Sequence, residues 1–210
     1  MAALRSQLMR CISCLGVLWA MLVLGGLAYA GASSELTEAQ YSQLKTYITV
    51  TAKPEFDADI AAGNDQAIAN KMNMAFTPSF QVYKTAVSRK TILFGKSPAN
   101  TSFIFEGNGY LTLTVQELQT FHDFFDGTPP VMDASLPNVQ TALDQIFKLP
   151  GNATSNRNHI KQQSLRSVTR AEKLYVTQGA GTAADPGFLV WEGVLTQHDI
   201  RYALRGGPLP

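Results

Sequence analysis

The chain has 210 residues, with 17 basic and 16 acidic side chains and a formal net charge of +1. So balanced a charge argues against nucleic acid as a partner, because proteins that bind it usually present a strongly basic face. The length is enough for one domain with a hydrophobic core, and a charged fraction of 16% favours a surface that packs against neighbouring proteins.

The first thirty residues have the pattern of a targeting segment. Arg5 and Arg10 precede an apolar run over residues 11–29, and the segment ends in Ala28-Tyr29-Ala30. A basic start, an apolar centre and an A-x-A end are typical of a secretory signal peptide. A retained membrane anchor is one alternative, since the run is close to the length that spans a bilayer. A wrongly assigned start codon is the other.

Residues 31–210 are predicted to form a single globular domain, with a core over about residues 35–204. Both cysteines, Cys11 and Cys14, lie in the leader, so the domain has no disulfide, no thiolate metal site and no cysteine nucleophile. Without the two leader arginines it carries 15 basic and 16 acidic residues, a net charge of −1.

Threonines mark the starts of four helices. Thr37, Thr114 and Thr169 are each followed three residues later by Gln or Glu, which is the pattern of a capping box. In a capping box the threonine side chain accepts a hydrogen bond from a free amide of the first turn, and the later side chain accepts one from the threonine amide. Thr196 begins the fourth helix, in which Asp199 suits the positive end of the helix dipole.

Further helices and strands follow from spacing and composition. A helix is expected from Asn64 or Asp65 to Met74, another from Pro137 to a stop at Gly151, and a polar one over residues 152–165; Gly127 is expected to end the Thr114 helix. Short segments rich in β-branched and aromatic residues predict strands at 80–87, 91–94, 102–105, 110–113 and 188–190. The sequence therefore predicts a mainly α (α+β) fold, a single compact helical domain with a small antiparallel β element near the middle.

The stretch from Thr177 to Gly187, TQGAGTAADPG, raises the question of a phosphate-binding loop. Such a loop follows a strand and ends in Lys-Ser or Lys-Thr at the start of a helix. Here residues 173–176 are expected to end a helix that Gly179 terminates, and the loop contains no lysine. The dinucleotide pattern G-x-G-x-x-G fails at Ala184. The prediction is a surface loop with a turn at Pro186-Gly187.

The histidines and acids form no recognisable reactive motif. His122, His159 and His198 match no His-x-x-x-His or His-Glu-x-x-His spacing, and each is expected to be partly exposed and hydrogen-bonded. Asp57 and Asp59 lack the ligand order of a calcium loop and are expected to serve in a turn and as a helix cap. The nucleophile pattern G-x-S-x-G is missing. We therefore assign no catalytic, cofactor-binding or metal-binding residue and expect no cofactor.

One basic cluster falls between residues 157 and 173, where only Glu172 opposes five cations: Arg157, Lys161, Arg166, Arg170 and Lys173. The cluster favours a solvated helix face with local ion pairs, because surface charges in a helix usually pair with their neighbours. A phosphate-binding or partner-binding patch at these five residues is the alternative.

Motifs near the C-terminus resemble a known family. They are TRAEKLY at Thr169–Tyr175, a glycine-rich loop at Thr177–Thr182, an apolar-Glu-Gly step at Val190–Gly193 and a final helix beginning at Thr196–Asp199. With the opening LTEAQYSQLKTYI and the stretch AAGNDQAIANKMNMAFTPSFQVYKTAV, they resemble small uncharacterised proteins encoded by tailed bacteriophages and prophages. The resemblance covers about residues 35–204, and residues 88–111 follow it only loosely. Members of the family usually begin just before the first helix, so the leader is unexpected.

The resemblance implies a virion structural or assembly role beside head or tail genes, with no catalytic residues to carry over. We therefore predict a protein that is not an enzyme and that docks with other phage virion or assembly proteins, or with copies of itself. Its place would be the virion or host cytoplasm if the leader is a wrong start, and the periplasm or exterior if the leader is a signal peptide. A membrane would be contacted only through a retained leader. An exported binding domain and an enzyme with an unrecognised site are the alternatives.

Overall fold

The computed structural model describes residues 35–206, so the leader over residues 1–30, with its three interpretations, lies outside the described residues. Across that range the chain forms nine α-helices. They are α1 (Glu38–Thr46), α2 (Lys53–Ala62), α3 (Asp65–Met72), α4 (Arg89–Phe94), α5 (Val115–Asp123), α6 (Pro137–Ile146), α7 (Asn152–Gln163), α8 (Arg170–Lys173) and α9 (Gln197–Arg205). A π-helical turn over Tyr47–Thr51 follows α1 directly.

Six short strands pair as three antiparallel two-stranded sheets, which confirms a mainly α fold with minor β structure. The strands are β1 (Gln81–Tyr83), β2 (Val87–Ser88), β3 (Val131–Met132), β4 (Leu165–Ser167), β5 (Val176–Gln178) and β6 (Phe188–Leu189). The pairs are β1 with β4, β2 with β3, and β5 with β6. The β structure is thus spread over three places and is not one element in the middle of the chain.

Two hydrophobic cores organise the described residues. The terminal core joins the first three helices to α8, α9 and the segment between them; its buried residues are Tyr41, Leu44, Ile48, Phe56, Ile68, Ala69, Met72, Ala171, Tyr175, Trp191, Leu195, Ile200 and Ala203. The middle core is built from residues 87–160; its buried residues are Val87, Ile92, Phe103, Leu113, Phe121, Phe125, Met132, Ala134, Val139, Leu143, Ile146, Phe147, Ala153 and Ile160. Each fully buried large apolar side chain stabilises the fold by about 1.5–3 kcal/mol.

The β1–β4 pair is the neck between these cores. Gln81 lies opposite Ser167 and Tyr83 opposite Leu165, and the ladder continues with a 2.8 Å hydrogen bond from the Lys84 amide to the Ser164 carbonyl. A third small cluster of Phe80, Val82 and Val168 packs there. The chain therefore enters the middle core and leaves it at adjacent positions.

Capping explains where the terminal helices begin. The boxes predicted at Thr37, Thr114 and Thr169 are all present, with hydrogen bonds in both directions between cap and third residue. Thr196 forms a fourth box with Asp199, which adds to the dipole effect expected from that carboxylate. Each cap stabilises its helix by roughly 1 kcal/mol.

Polar contacts then fix α9 against α1 and α3. The Tyr41 hydroxyl donates to Asp199 Oδ1 at 2.8 Å, and burial together with this bond raises the pKa of Tyr41. The buried carboxylate of Asp65, at the start of α3, accepts from Arg201 at 3.3 Å and from Arg205 at 3.0 Å. The last helix is thus held by hydrogen bonds as well as by apolar contacts.

Several predicted elements of the middle segment are wrong. The strand expected at 91–94 is helix α4, because the Ser88 hydroxyl accepts from the Thr91 amide at 3.1 Å and caps a helix there. Residues 102–105 and 110–113 form no strand. The buried Asn156 side chain takes the place of a strand partner, with 2.7 Å bonds to both the amide and the carbonyl of Ile104. Within the predicted segment 80–87, only Gln81–Tyr83 and the start of β2 are strand.

Some helix ends also differ from the expectation. Gly127 does not end α5, which stops at Asp123 with Phe124 as its C-cap in the right-handed region. Gly151, with φ of +81°, does not end α6 but precedes the first residue of α7. The helix predicted up to residue 176 stops at Lys173, and the following residues turn into β5. Helix α2 was not anticipated, although Pro54 in its first turn is a usual helix start.

Candidate docking surface

The predicted basic cluster does not form one continuous set of free cations. Arg157 and Lys161 lie on α7 and share Asp144 of α6, at 3.7 Å from Arg157 Nε and 2.7 Å from Lys161 Nζ. These two cations therefore bridge adjacent helices of the middle core. A surface ion pair of this kind contributes about 0.2–1 kcal/mol.

Arg166 is matched to two carboxylates. Its guanidinium binds the buried Glu172 through two hydrogen bonds of 2.7 and 2.8 Å, and binds Glu192 at 2.8 Å. Burial alone would lower the pKa of Arg166, but the bonds and charges of the two carboxylates raise it. The same Glu172 caps α8, so this ion pair holds β4 against the start of that helix.

Arg170 and Lys173 are also engaged within the chain. Arg170 Nη2 donates to Glu55 Oε2 at 2.6 Å, and this hydrogen bond is the main cause that lowers the pKa of Glu55. Lys173 Nζ lies 3.9 Å from the centre of the Phe80 ring, a cation–π contact. Four of the five cations thus pair with carboxylates of α2, α6, α8 or the 190s segment, and partner binding at the cluster stays a prediction.

The glycine loop is closed by hydrogen bonds from its own amides. Its Ala180 amide donates to Asp185 Oδ2 at 2.8 Å, and the Gly181 amide donates to the Asp185 carbonyl at 2.9 Å. Gly181 has a φ of +74°, and a Cβ there would lie 2.1 Å from the Phe80 ring. Glycine is needed at position 181, because a side chain there would overlap the Phe80 ring. The loop therefore packs tightly on Phe80 and is fixed by backbone contacts.

The three histidines lie in different surroundings. His159 is buried on α7, where its Nε2 lies 2.9 Å from the Ile92 carbonyl and its Nδ1 lies 3.2 Å from the Thr101 hydroxyl. A carbonyl only accepts, so Nε2 carries the hydrogen in this arrangement. The expectation that His159 is partly exposed is wrong. His198 is exposed on α9.

Asp57 and Asp59 lie inside α2, so the expectation of a turn and a helix cap is wrong. Asp57 pairs with Lys53 one turn earlier, and Asp59 pairs with Lys71 of α3 at 2.7 Å. Both carboxylates therefore brace helices of the terminal core.

His122 belongs to a polar cluster that the sequence did not indicate. Its Nε2 lies 3.1 Å from Arg89 Nη2 and 3.1 Å from the Tyr110 hydroxyl. A guanidinium only donates, so Nε2 accepts and the ring hydrogen is on Nδ1. The contact brings α4, α5 and the residue after the 3₁₀ turn Gly107–Gly109 together at one place.

An aromatic row continues from this cluster to the surface. The ring centres of Tyr110 and Phe105 are 5.9 Å apart, and those of Phe105 and Phe94 are 6.3 Å apart. Phe94 is 74% exposed and Phe105 is 39% exposed. Phe94, Phe105 and the neighbouring cations Arg89, Lys90 and Lys96 are called the Phe94 surface below.

The cations of the Phe94 surface have no acidic partner among the described residues. Every ion pair within 4.0 Å in that part of the chain involves other cations. The Nε atom of Arg89 is buried and has no hydrogen-bond partner. The sequence does contain the signal, since no Asp or Glu occurs between Asp65 and Glu106 while five Lys and Arg residues do.

Two open grooves flank Tyr47 in the π-helical turn. One, of about 480 Å³, is lined by α1 and Leu174; the other, of about 370 Å³, by Arg170 and residues 74–77. The side-chain amide of Gln43 already donates to the Leu174 carbonyl at 2.8 Å in the first. The grooves thus combine hydroxyl and apolar lining with groups that are bonded within the chain.

Within residues 35–206 no group of His, Cys, Asp and Glu side chains is arranged to hold a metal ion. In the same range no helix is both long and apolar enough to cross a bilayer. Comparison with protein-family models, with curated proteins and with solved structures gave no match. A proposal of function therefore draws on the chain's own geometry and on the sequence resemblance described above.

Proposed function

We propose that the chain is an assembly protein of a tailed bacteriophage that is not an enzyme and acts by docking onto another protein. The observation that supports this is the Phe94 surface, where an exposed aromatic ring stands beside cations that no internal carboxylate neutralises. Exposed apolar side chains set in a polar rim mark interaction sites on soluble domains.

The scaffold below this surface suits docking. Phe105 packs edge-on against both Phe103 and Tyr110, so the exposed aromatic row stands on the buried rings of the middle core. A surface held in one arrangement loses less conformational entropy when it binds. The phage setting itself comes from the resemblance of residues 35–204 to the phage family.

The proposal is tested in purified particles. A strain that carries the locus would be induced, and its particles and assembly intermediates would be searched for the chain by mass spectrometry. We expect peptides from residues 35–206 at a stoichiometric level, and a strong reduction for Phe94→Ser. Val50→Ser is the matched control, because Val50 is 69% exposed but lies in the π-helical turn of the terminal core. Absence from both particles and intermediates would contradict the phage role.

An exported binding domain is the second candidate, and the leader sequence favours it. The same strain separates the two, because the N-terminus of the mature chain can be measured directly. A mature chain that begins at Gly31 and is found in the periplasm or medium, with none in particles, would support export in place of assembly.

A further inference from the structure

We infer that the Phe94 surface binds an acidic segment of a partner protein. One carboxylate of that segment would pair with Arg89, further acids would lie near Lys90 and Lys96, and an apolar side chain would pack on Phe94 and Phe105. This inference rests on the proposed docking function and adds the chemistry of the partner.

Charge complementarity is the first argument. Most cations elsewhere in the described chain pair with carboxylates, such as Lys71 with Asp59 and Arg170 with Glu55, although Lys45, Lys84 and Lys173 form no ion pair there. The Phe94 surface differs in that it gathers three cations within eight residues, none with a carboxylate within 4.0 Å among the described residues. A cation on a folded surface that lacks an internal counter-charge is available to an external one.

The position of Arg89 is the second argument. Its Nη2 is held by His122 at 3.1 Å, and His122 is held in turn by Tyr110, so the guanidinium is fixed before any partner arrives. Its Nε is buried, so a partner carboxylate would meet the Nη atoms. A fixed guanidinium recognises a carboxylate through parallel hydrogen bonds, which a flexible lysine does not. The geometry therefore suits an Asp or Glu side chain.

The aromatic row argues for a protein partner over a lipid bilayer or a nucleic acid. Of the two rings of the Phe94 surface, Phe94 stands far out, while Phe105 is engaged by Phe103, Tyr110 and Phe94 itself. Nucleic-acid platforms stack successive bases on free ring faces, and membrane contacts use several apolar side chains at one depth. One protruding ring beside a fixed guanidinium matches a short peptide with an apolar residue near its acids.

A peptide-display selection tests this inference on the purified full-length protein. Random twelve-residue peptides would be selected for binding, and the best would be synthesised and measured by calorimetry. We expect enrichment of Asp and Glu beside an aromatic or aliphatic residue, and a loss of affinity when salt is raised. Lys90→Glu/Lys96→Glu and Phe94→Ser should each weaken binding at least tenfold. These side chains are exposed or peripheral, so the variants should keep the wild-type circular dichroism spectrum and melting temperature.

The control is Lys45→Glu, which reverses an exposed lysine on α1 that forms no ion pair among the described residues; it should leave affinity within twofold of wild type, whereas Lys90→Glu alone should weaken binding. Enriched peptides without acids, or equal affinity of all variants, would overturn the inference. So would binding to phosphatidylserine vesicles or to a single-stranded oligonucleotide that depends on Lys90 and Lys96 while no peptide binds. Self-association in sedimentation that Phe94→Ser abolishes would assign the surface to a second copy instead. A chain that binds acidic peptides but is absent from particles would refute only the phage setting.

Discussion

The terminal core and the middle core are built by different means. In the terminal core, α1, α8 and α9 begin with capping boxes, and most cations meet a carboxylate of another helix. In the middle core, a cluster of aromatic rings is surrounded by helices α4–α7 and by residues 101–106, which form neither helix nor strand, and the cations of α4 form no ion pair among the described residues. The proposed binding surface therefore belongs to the middle segment, and the helices of the terminal core form the scaffold that carries it.

The largest expected effect tests whether the two cores unfold together. Phe121 is fully buried and its ring contacts those of Phe103, Phe125 and Phe147. Phe121→Ala should lower the free energy of unfolding by about 3–5 kcal/mol, through lost burial and the cavity left behind. Urea denaturation followed by circular dichroism measures this change.

Hydrogen exchange on the same variant sharpens the comparison. Because the β1–β4 neck joins the cores, we expect amides of α3 and α9 to lose protection together with those of α5 and α6. Loss of protection confined to residues 84–164 would show two independent folding units. Val115→Ala, on the same helix but 85% exposed, should stay within about 0.5 kcal/mol of wild type.

Gly181 offers the next largest effect, at the neck. Gly181→Ala would force a Cβ into the Phe80 ring at a positive φ, and strain plus overpacking should cost about 3 kcal/mol. Gly127→Ala is the control, because its nearest neighbour would be 3.5 Å away and its φ is not positive. Thermal melting of both variants tests this expectation. A loop that packs tightly on Phe80 should be destabilised by Gly181→Ala and not by Gly127→Ala, whereas a loose loop would tolerate both changes equally.

Asn156 tests how the irregular segment of the middle core is held. Asn156→Ala removes the side chain that binds the Ile104 amide and carbonyl and the Gly109 carbonyl, and it should cost about 2 kcal/mol. We expect the largest increase in hydrogen exchange at residues 104–110, and in α1 and α9 a loss of protection no larger than the loss in global free energy of unfolding. Asn158→Ala, exposed on the same helix, serves as control. Equal effects of the two variants would refute the role given to Asn156.

The smallest effect is the acid dependence of stability, with one carboxylate in each core. Hydrogen bonds from Arg170 lower the pKa of Glu55, and hydrogen bonds from the Thr114 amide and hydroxyl lower the pKa of Glu117. Each contribution is therefore fully present above the unfolded pKa of about 4.5 and is lost as pH falls through the lower folded pKa. Both groups are largely solvated, so each should account for about 0.5 kcal/mol.

Denaturation midpoints between pH 7 and pH 2 check this expectation. Glu55→Gln and Glu117→Gln should each flatten the decline below about pH 4.5, and Gln at position 117 keeps the hydrogen-bonding pattern of a capping box. The wild-type protein, measured over the same pH range, is the comparison. If the free energy of unfolding falls as steeply with decreasing pH in both variants as in the wild type, other carboxylates determine the loss of stability in acid.

Local rules predicted the capped helix starts of the terminal core, although helix α2 was missed. Thr37, Thr169 and Thr196 each start a helix because a cap acts within one turn, and such short-range chemistry is visible in the sequence. Strand Phe188–Leu189 was also recovered within the predicted 188–190. Tyr41 and Asp199 meet across 158 positions, however, and no local pattern indicates that bond.

In the middle core the helices from Thr114, Pro137 and Asn152 were predicted, but its strands were not, because the structure there depends on distant partners. Residues 91–94 have strand-like composition, yet the cap at Ser88 and burial of Ile92 make them helical. Residues 102–105 look like a strand, but their partner is the side chain of Asn156. The Phe94 surface was missed for a related reason: which cations lack a carboxylate is decided by the fold, as the neutralised cluster at 157–173 shows.

Because Tyr83 pairs with Leu165, the middle segment is an insertion into a scaffold formed by the two ends of the described chain. Two backbone positions that already lie side by side can be joined by a tight turn, so residues 84–164 could be exchanged for another insert without moving either end of the chain. Recognition specificity could then diverge in the inserted segment while the terminal helices keep their sequence. In an assembly, the same terminal helices would carry different middle segments, each suited to a different partner.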